Sequence, residues 1–142
     1  MGDDGGIVPE LYCSDFDASL AFYTAVCGFS IDYSRDEDRF AYLRRGDARL
    51  MIEQTRDPAR RFVAAELTYP FGRGMNLEIG VDDASGLYDR VVAGDARIFL
   101  ELEERWYRRD DFEVGNLQFV VMDPDGYLLR FAQHLGHREG SG

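Results

Sequence analysis

Two stretches of this chain can be laid over one another: Cys13-Ser-Asp-Phe-Asp-Ala-Ser-Leu20 and Gly80-Val-Asp-Asp-Ala-Ser-Gly-Leu87. Each follows a run with strand character and leads into an amphipathic helix. Before the first, Ile7 to Cys13 reads as a strand; before the second, Leu77, Ile79 and Val81 alternate with Asn76, Glu78 and Gly80. Ser14-Asp15 and Asp82-Asp83 are helix starts, with carboxylates suited to the positive end of the helix dipole. Phe16, Leu20, Tyr23 and Cys27 then recur at helical spacing, as do Ala84, Leu87, Tyr88, Val91 and Val92. Gly28 and Gly94 end the two helices.

Three strands follow each helix. In the first half they are Ser30–Ser34, Arg39–Arg45 and Arg49–Gln54, the last two joined at Gly46-Asp47. In the second they are Arg97–Glu103, Asn116–Met122 and Tyr127–Gln133, with Asp123-Pro124-Asp125-Gly126 as a strong turn. A repeated βαβββ unit is the economical interpretation. The fold class is therefore α+β, one domain over residues 1–142 built of modules 7–54 and 75–135. Residues 55–74, with Pro58, Pro70, Gly72 and Gly74, link the modules and could carry a short helix. Two sheets of four strands with helices outside form a cup, an eight-stranded arrangement with a concave inner surface. The Gly-rich ends, 1–6 and 136–142, are expected to fray.

Composition narrows the chemistry. The chain has 142 residues, 45% apolar and 13% aromatic, enough to bury a core and exclude a disordered protein. Its net charge of −11 argues against a nucleic-acid partner and suits a cationic ligand. All 16 basic residues are arginine, which removes Schiff-base chemistry and a Walker-type phosphate loop. The two histidines, His134 and His137, lie near the end of the chain, so a His-rich metal site or a serine–histidine triad is not expected. Cys13 and Cys27 read as reduced core thiols. No apolar run is long enough to span a membrane and no signal peptide is recognisable, so the expected compartment is the cytoplasm.

The segment Pro9–Tyr23, then Gly28-Phe29, and the closing Asp123-Pro-Asp-Gly-Tyr127 resemble the glyoxalase/bleomycin-resistance/extradiol-dioxygenase superfamily over residues 7–135. That resemblance implies paired βαβββ modules forming a cup, and a dimer. It also implies that enzymes of the superfamily hold a divalent metal with side chains from four strands. The corresponding positions here are Val8, Glu53, Asn76 and Arg130, of which only Glu53 is a competent ligand. No metal and no other cofactor is therefore expected. The departure favours the bleomycin-resistance branch, whose members sequester a bulky cationic glycopeptide. Val8-Pro9, the spacing to Asp15, and the stretch from Gly28 to Tyr33 are similar to those proteins. The resemblance makes Pro9 a hinge for arm exchange between subunits; the alternative is an ordinary edge-strand proline.

Strand alternation assigns the faces. Ala41, Leu43, Leu50 and Ile52 are suited to the helix side, which leaves Phe40, Tyr42, Arg44, Arg49, Met51 and Glu53 on the concave side. Asn76, Glu78 and Arg130 project into the other half of the cup. Arg130 requires a partner, with Glu53 or Glu78 available; alternatively it reaches solvent through the mouth. Trp106 and Tyr107 lie in a polar segment expected to be a loop or strand end, with the indole at the groove rim or covering a dimer interface. Asp32-Tyr33 matches an acidic–aromatic pair that touches the antibiotic in the resembling proteins; otherwise it is a solvated aspartate beside a half-buried tyrosine. The expected ligand site thus comprises Asp32, Tyr33, Phe40, Tyr42, Met51, Glu53, Asn76, Glu78, Trp106, Tyr107 and Arg130. The expected function is metal-free, homodimeric sequestration of a cationic aromatic small molecule such as a bleomycin-like glycopeptide. The alternatives are a metal-dependent lyase, isomerase or dioxygenase, and a binding module for another small molecule.

Overall fold

Asp15 acts as the N-cap of helix α1 (Phe16–Ala21), accepting a hydrogen bond from the Ala18 amide at 3.2 Å. Asp83 does the same for helix α2 (Ala84–Ala93) through the Gly86 amide at 3.0 Å. In each module a glutamine in the last strand or directly after it completes the helix start. Gln54 accepts from the Phe16 amide at 2.7 Å and Gln133 from the Ala84 amide at 3.0 Å. These side chains satisfy amides that have no partner inside a helix. The internal repeat thus reaches down to single hydrogen bonds.

The computed structural model describes residues 6–54 and 56–140. The first module holds β1 (Glu10–Tyr12), α1, β2 (Ser30–Arg35), β3 (Phe40–Arg45) and β4 (Ala48–Glu53). The second holds β5 (Asn76–Gly80), α2, β6 (Arg97–Arg109), β7 (Phe112–Met122) and β8 (Leu128–Glu139). The strands form two four-stranded sheets, ordered β1-β4-β3-β2 and β5-β8-β7-β6. The first and last strands of each module pair in parallel and the other neighbours antiparallel. The fold is α+β with a twice-used βαβββ topology. Its compact units divide between Leu67 and Thr68. Among the described residues no helix is long and apolar enough to cross a membrane.

The helix-side faces are those expected. Ala41, Leu43, Leu50 and Ile52 are buried in the first module, with Tyr23, Cys27 and Phe29. In the second, Leu87 and Val91 of α2 are buried, as are Phe119, Val121, Leu129 and Phe131 of β7 and β8. Val92, assigned to the apolar stripe, is instead exposed. Helix α1 also ends sooner than the periodicity suggests and passes into a π-helical turn, Phe22–Val26. The wider turn brings Phe22 into the core beside Tyr23, the rings meeting edge to face at 5.1 Å.

Three other boundaries differ from the sequence reading. Strand β1 is three residues long rather than seven, although the Pro9 carbonyl and the Cys13 amide extend its pairing with β4 at 2.9 Å each. Residues 104–109 and 112–115, read as polar connections, continue β6 and β7 into a long hairpin that turns at Asp110-Asp111. Residues 136–139, expected to fray, pair in β8 with 112–115 of β7. Cross-strand hydrogen bonds, not local hydrophobicity, hold these segments, so alternation could not reveal them.

The Asp-Pro-Asp-Gly turn is a buried structural joint. Asp123 is 4% exposed, and its carboxylate accepts from the amides of Asp125 and Tyr127, both at 2.9 Å. Gly126 has φ +93° and presses on Pro70, leaving no room for a Cβ. The Phe71 amide donates to the Asp125 carbonyl at 2.8 Å, which ties the end of the linker to the second module.

Candidate functional site

In the first module, the sheet face opposite α1 carries most of the sequence-predicted residues. Tyr33 lies across from Tyr42 with the rings stacked at 5.2 Å, and Phe40 is 5.9 Å from Tyr33. Phe40 and Tyr42 are buried, and Tyr33 is the exposed member of the aromatic row. Met51 stands between Tyr42 and Glu10, and Glu53 between Phe40 and Tyr12. A bulge between Ile31 and Tyr33 lets consecutive Asp32 and Tyr33 both reach partners on β3. Asp32, expected either to touch a ligand or to be solvated, is exposed and ion-paired with Arg44 at 2.9 Å.

Over one end of this face lies a cavity of about 340 Å³. Glu10 and Glu53 contribute from adjacent strands, and Arg35 and Asp38 from the end of β2 and the turn after it. Asp57, Arg60 and Phe62 contribute from the linker. Tyr12 fastens that linker: its hydroxyl accepts from the Phe62 amide at 2.9 Å and donates to the Arg60 carbonyl at 3.5 Å. Arg35 pairs with Asp38 at 2.9 Å and lies over the Phe40 ring at 4.1 Å. Burial raises the pKa of the Glu53 carboxyl, and the charge of Glu10 and a hydrogen bond to it act in the same direction; Arg35 opposes them.

In the second module, Asn76, Glu78 and Arg130 meet on neighbouring strands. Arg130 donates from Nε to Asn76 at 3.3 Å and pairs through Nη2 with Glu78 at 3.4 Å. Of the two glutamates considered for this arginine, Glu78 is the one within its own sheet, directly opposite it in register. Tyr107 belongs to a second polar group, in which Gln118 Nε2 donates to the Tyr107 hydroxyl at 2.6 Å and to Glu103 at 2.9 Å. Trp106, expected on a loop or strand end, lies within β6. Its ring covers Gly115, its Nε1 donates to Glu104 at 2.8 Å, and Arg138 stacks on it at 4.2 Å.

Sequence reasoning missed Glu10, Tyr12 and Arg35, and the linker residues Asp57, Arg60 and Phe62. A signal existed for the first two: both alternate with core-facing Leu11. The linker residues gave none, because the Tyr12 hydroxyl that fastens that segment to the sheet is about fifty residues away in the chain.

Residues 7–131 match the model of the Glyoxalase/Bleomycin resistance protein/Dioxygenase superfamily. The chain belongs to this superfamily. A glyoxalase/bleomycin resistance protein/dioxygenase superfamily member from Vibrio splendidus 12B01 is 37% identical, covering 90% of this chain and 97% of that one, with a TM-score of 0.41. TioX from Micromonospora sp. ML1 is 24% identical, covering 92% and 100% of the two chains at a TM-score of 0.71. A lactoylglutathione lyase from Agrobacterium tumefaciens is 18% identical, covering 91% and 93% at 0.59. No curated protein sequence matches the chain.

The superfamily's enzymes imply a divalent metal, and the residues at the four positions that the resemblance assigns to its ligands do not fit one. In the first module, Val8 offers no donor atom and Glu53 offers one carboxyl group. In the second, Arg130 is itself a cation, and it already uses the carbonyl oxygen of Asn76. Among the described residues, no three His, Cys, Asp or Glu side chains are grouped to hold a metal ion.

Proposed function

We propose that this superfamily member is a metal-independent binding protein for a bulky, cationic, aromatic small molecule, the bleomycin-resistance type of role, and that it acts as a homodimer. The observation that carries the reading is Arg130 held by Asn76 and Glu78. A guanidinium at a ligand position repels a divalent ion and supplies recognition in place of Lewis-acid chemistry. The acidic net charge and the aromatic row Tyr33–Tyr42–Phe40 support a cationic, planar ligand, through long-range attraction and ring stacking respectively.

The test is calorimetric titration with metal-free bleomycin at several salt concentrations, alongside metal analysis of the dialysed protein. Saturable binding that weakens with salt is expected, with no stoichiometric transition metal retained. Absence of bleomycin binding removes the ligand assignment. Retained metal that is lost in Glu53→Gln replaces the binding reading with the enzyme one.

A further inference from the structure

We propose that the cavity of the first module is a binding site for an organic cation with a planar pair of N–H donors, an amidinium or guanidinium carried on an aromatic body. This rests on the reading of the chain as a binding protein for cationic small molecules, and it assigns the recognition of the charged end.

Glu10 and Glu53 come from adjacent parallel strands, lie diagonally on the same face and both line the cavity, where the charge of Glu10 acts on Glu53. Two ionised carboxylates this close repel one another. A planar cation can donate one N–H to each, which relieves that repulsion with charge-assisted hydrogen bonds. The surrounding charges leave this role to a ligand. Arg35 is engaged by Asp38 and by the Phe40 ring, and Arg60 lies over Phe62 at 5.2 Å. Asp57 caps the linker turn through the Ala59 amide at 3.0 Å. Four carboxylates against two guanidiniums give the cavity an excess of negative charge.

The remaining surface suits a ring. Phe62 is 67% exposed at the cavity wall, and the Tyr12 hydroxyl fastens the strand of linker that carries it. The volume of about 340 Å³ is within the range of small-molecule sites. The absence of a three-ligand group among the described residues points to an organic cation and away from a metal ion.

The experiment is calorimetric titration of the full chain with benzamidinium chloride and with benzamide, its neutral near-isostere. Benzamidinium should saturate and weaken as salt rises, and benzamide should bind at least about tenfold more weakly. Glu10→Gln and Glu53→Gln should each lower benzamidinium affinity about tenfold and flatten its salt dependence. Tyr12→Phe, a change at a positioning residue, should lower affinity while keeping the salt dependence. Glu101→Gln, exposed on β6, should bind as the wild type does. Equal binding of the two probes to the wild-type chain overturns the site, whatever the variants do. So does wild-type affinity in both glutamine variants. Bleomycin binding that persists unchanged in those variants leaves the proposed function standing and removes this site. Benzamidinium binding without bleomycin binding does the reverse.

Discussion

At Glu53, burial and the neighbouring Glu10 both hold the carboxyl group above its ordinary range. This has a consequence for stability. The unfolded chain releases the Glu53 proton at the ordinary carboxyl value, while the folded chain retains it to higher pH. The folded state therefore binds more protons between those two values, and stability falls as pH rises through that window. Glu53→Gln should remove this fall: the variant gains stability over the wild type at neutral pH, and the gain shrinks to nothing below the ordinary carboxyl range. Urea unfolding of both proteins at a series of pH values measures it. Glu53 was recognisable in the sequence by its parity with Met51, but its partner was not. Glu10 precedes a Leu-Tyr pair of core character, and only the parallel register of β1 on β4, which sets it opposite Met51, places it on the same face as Glu53 and diagonal to it. Asp32 carries the same lesson. Its ion pair with Arg44 depends on a bulge, an irregularity that residue types alone do not announce.

The helix starts are where the two modules are most alike. Asp15 and Asp83 were legible as caps because short acidic side chains before an apolar stripe have one favourable role. Gln54 and Gln133 were not, since each reaches its helix from a position distant in sequence. Gln54→Ala and Gln133→Ala should each cost about 1–2 kcal/mol, because the amide of Phe16 or Ala84 loses its acceptor in a part-buried place. The costs should add in the double variant, since the two bonds share no residue. Denaturant midpoints at constant m-value are the measurement. The β6–β7 hairpin is the element that sequence reading shortened most. Its distal part exposes many polar residues, and its ladder is capped by the Trp106 ring on Gly115 rather than by an apolar face.

At the scale of the whole molecule, each sheet ends in strands whose outer sides carry apolar groups. Ile31 and Tyr33 on β2 are about half exposed, and Phe99 on β6 is 63% exposed. Edges of this kind favour association. The proposed homodimer should therefore sediment at twice the 16.2 kDa chain mass at micromolar concentration, and a single species of monomer mass would remove it. The sequence alone determined the repeated βαβββ order, the buried faces and the cap aspartates. Each of these depends on residue type and short-range spacing, which alternation and helical periodicity express directly. Only the tertiary structure decided the reach of β6, β7 and β8, the choice of Glu78 for Arg130, and the cavity that joins Glu10 and Glu53 to the linker. Those depend on strand register and on single long-range hydrogen bonds, such as Tyr12 to the Phe62 amide. Pairings of this kind join residues far apart in the chain and leave no periodic trace in it.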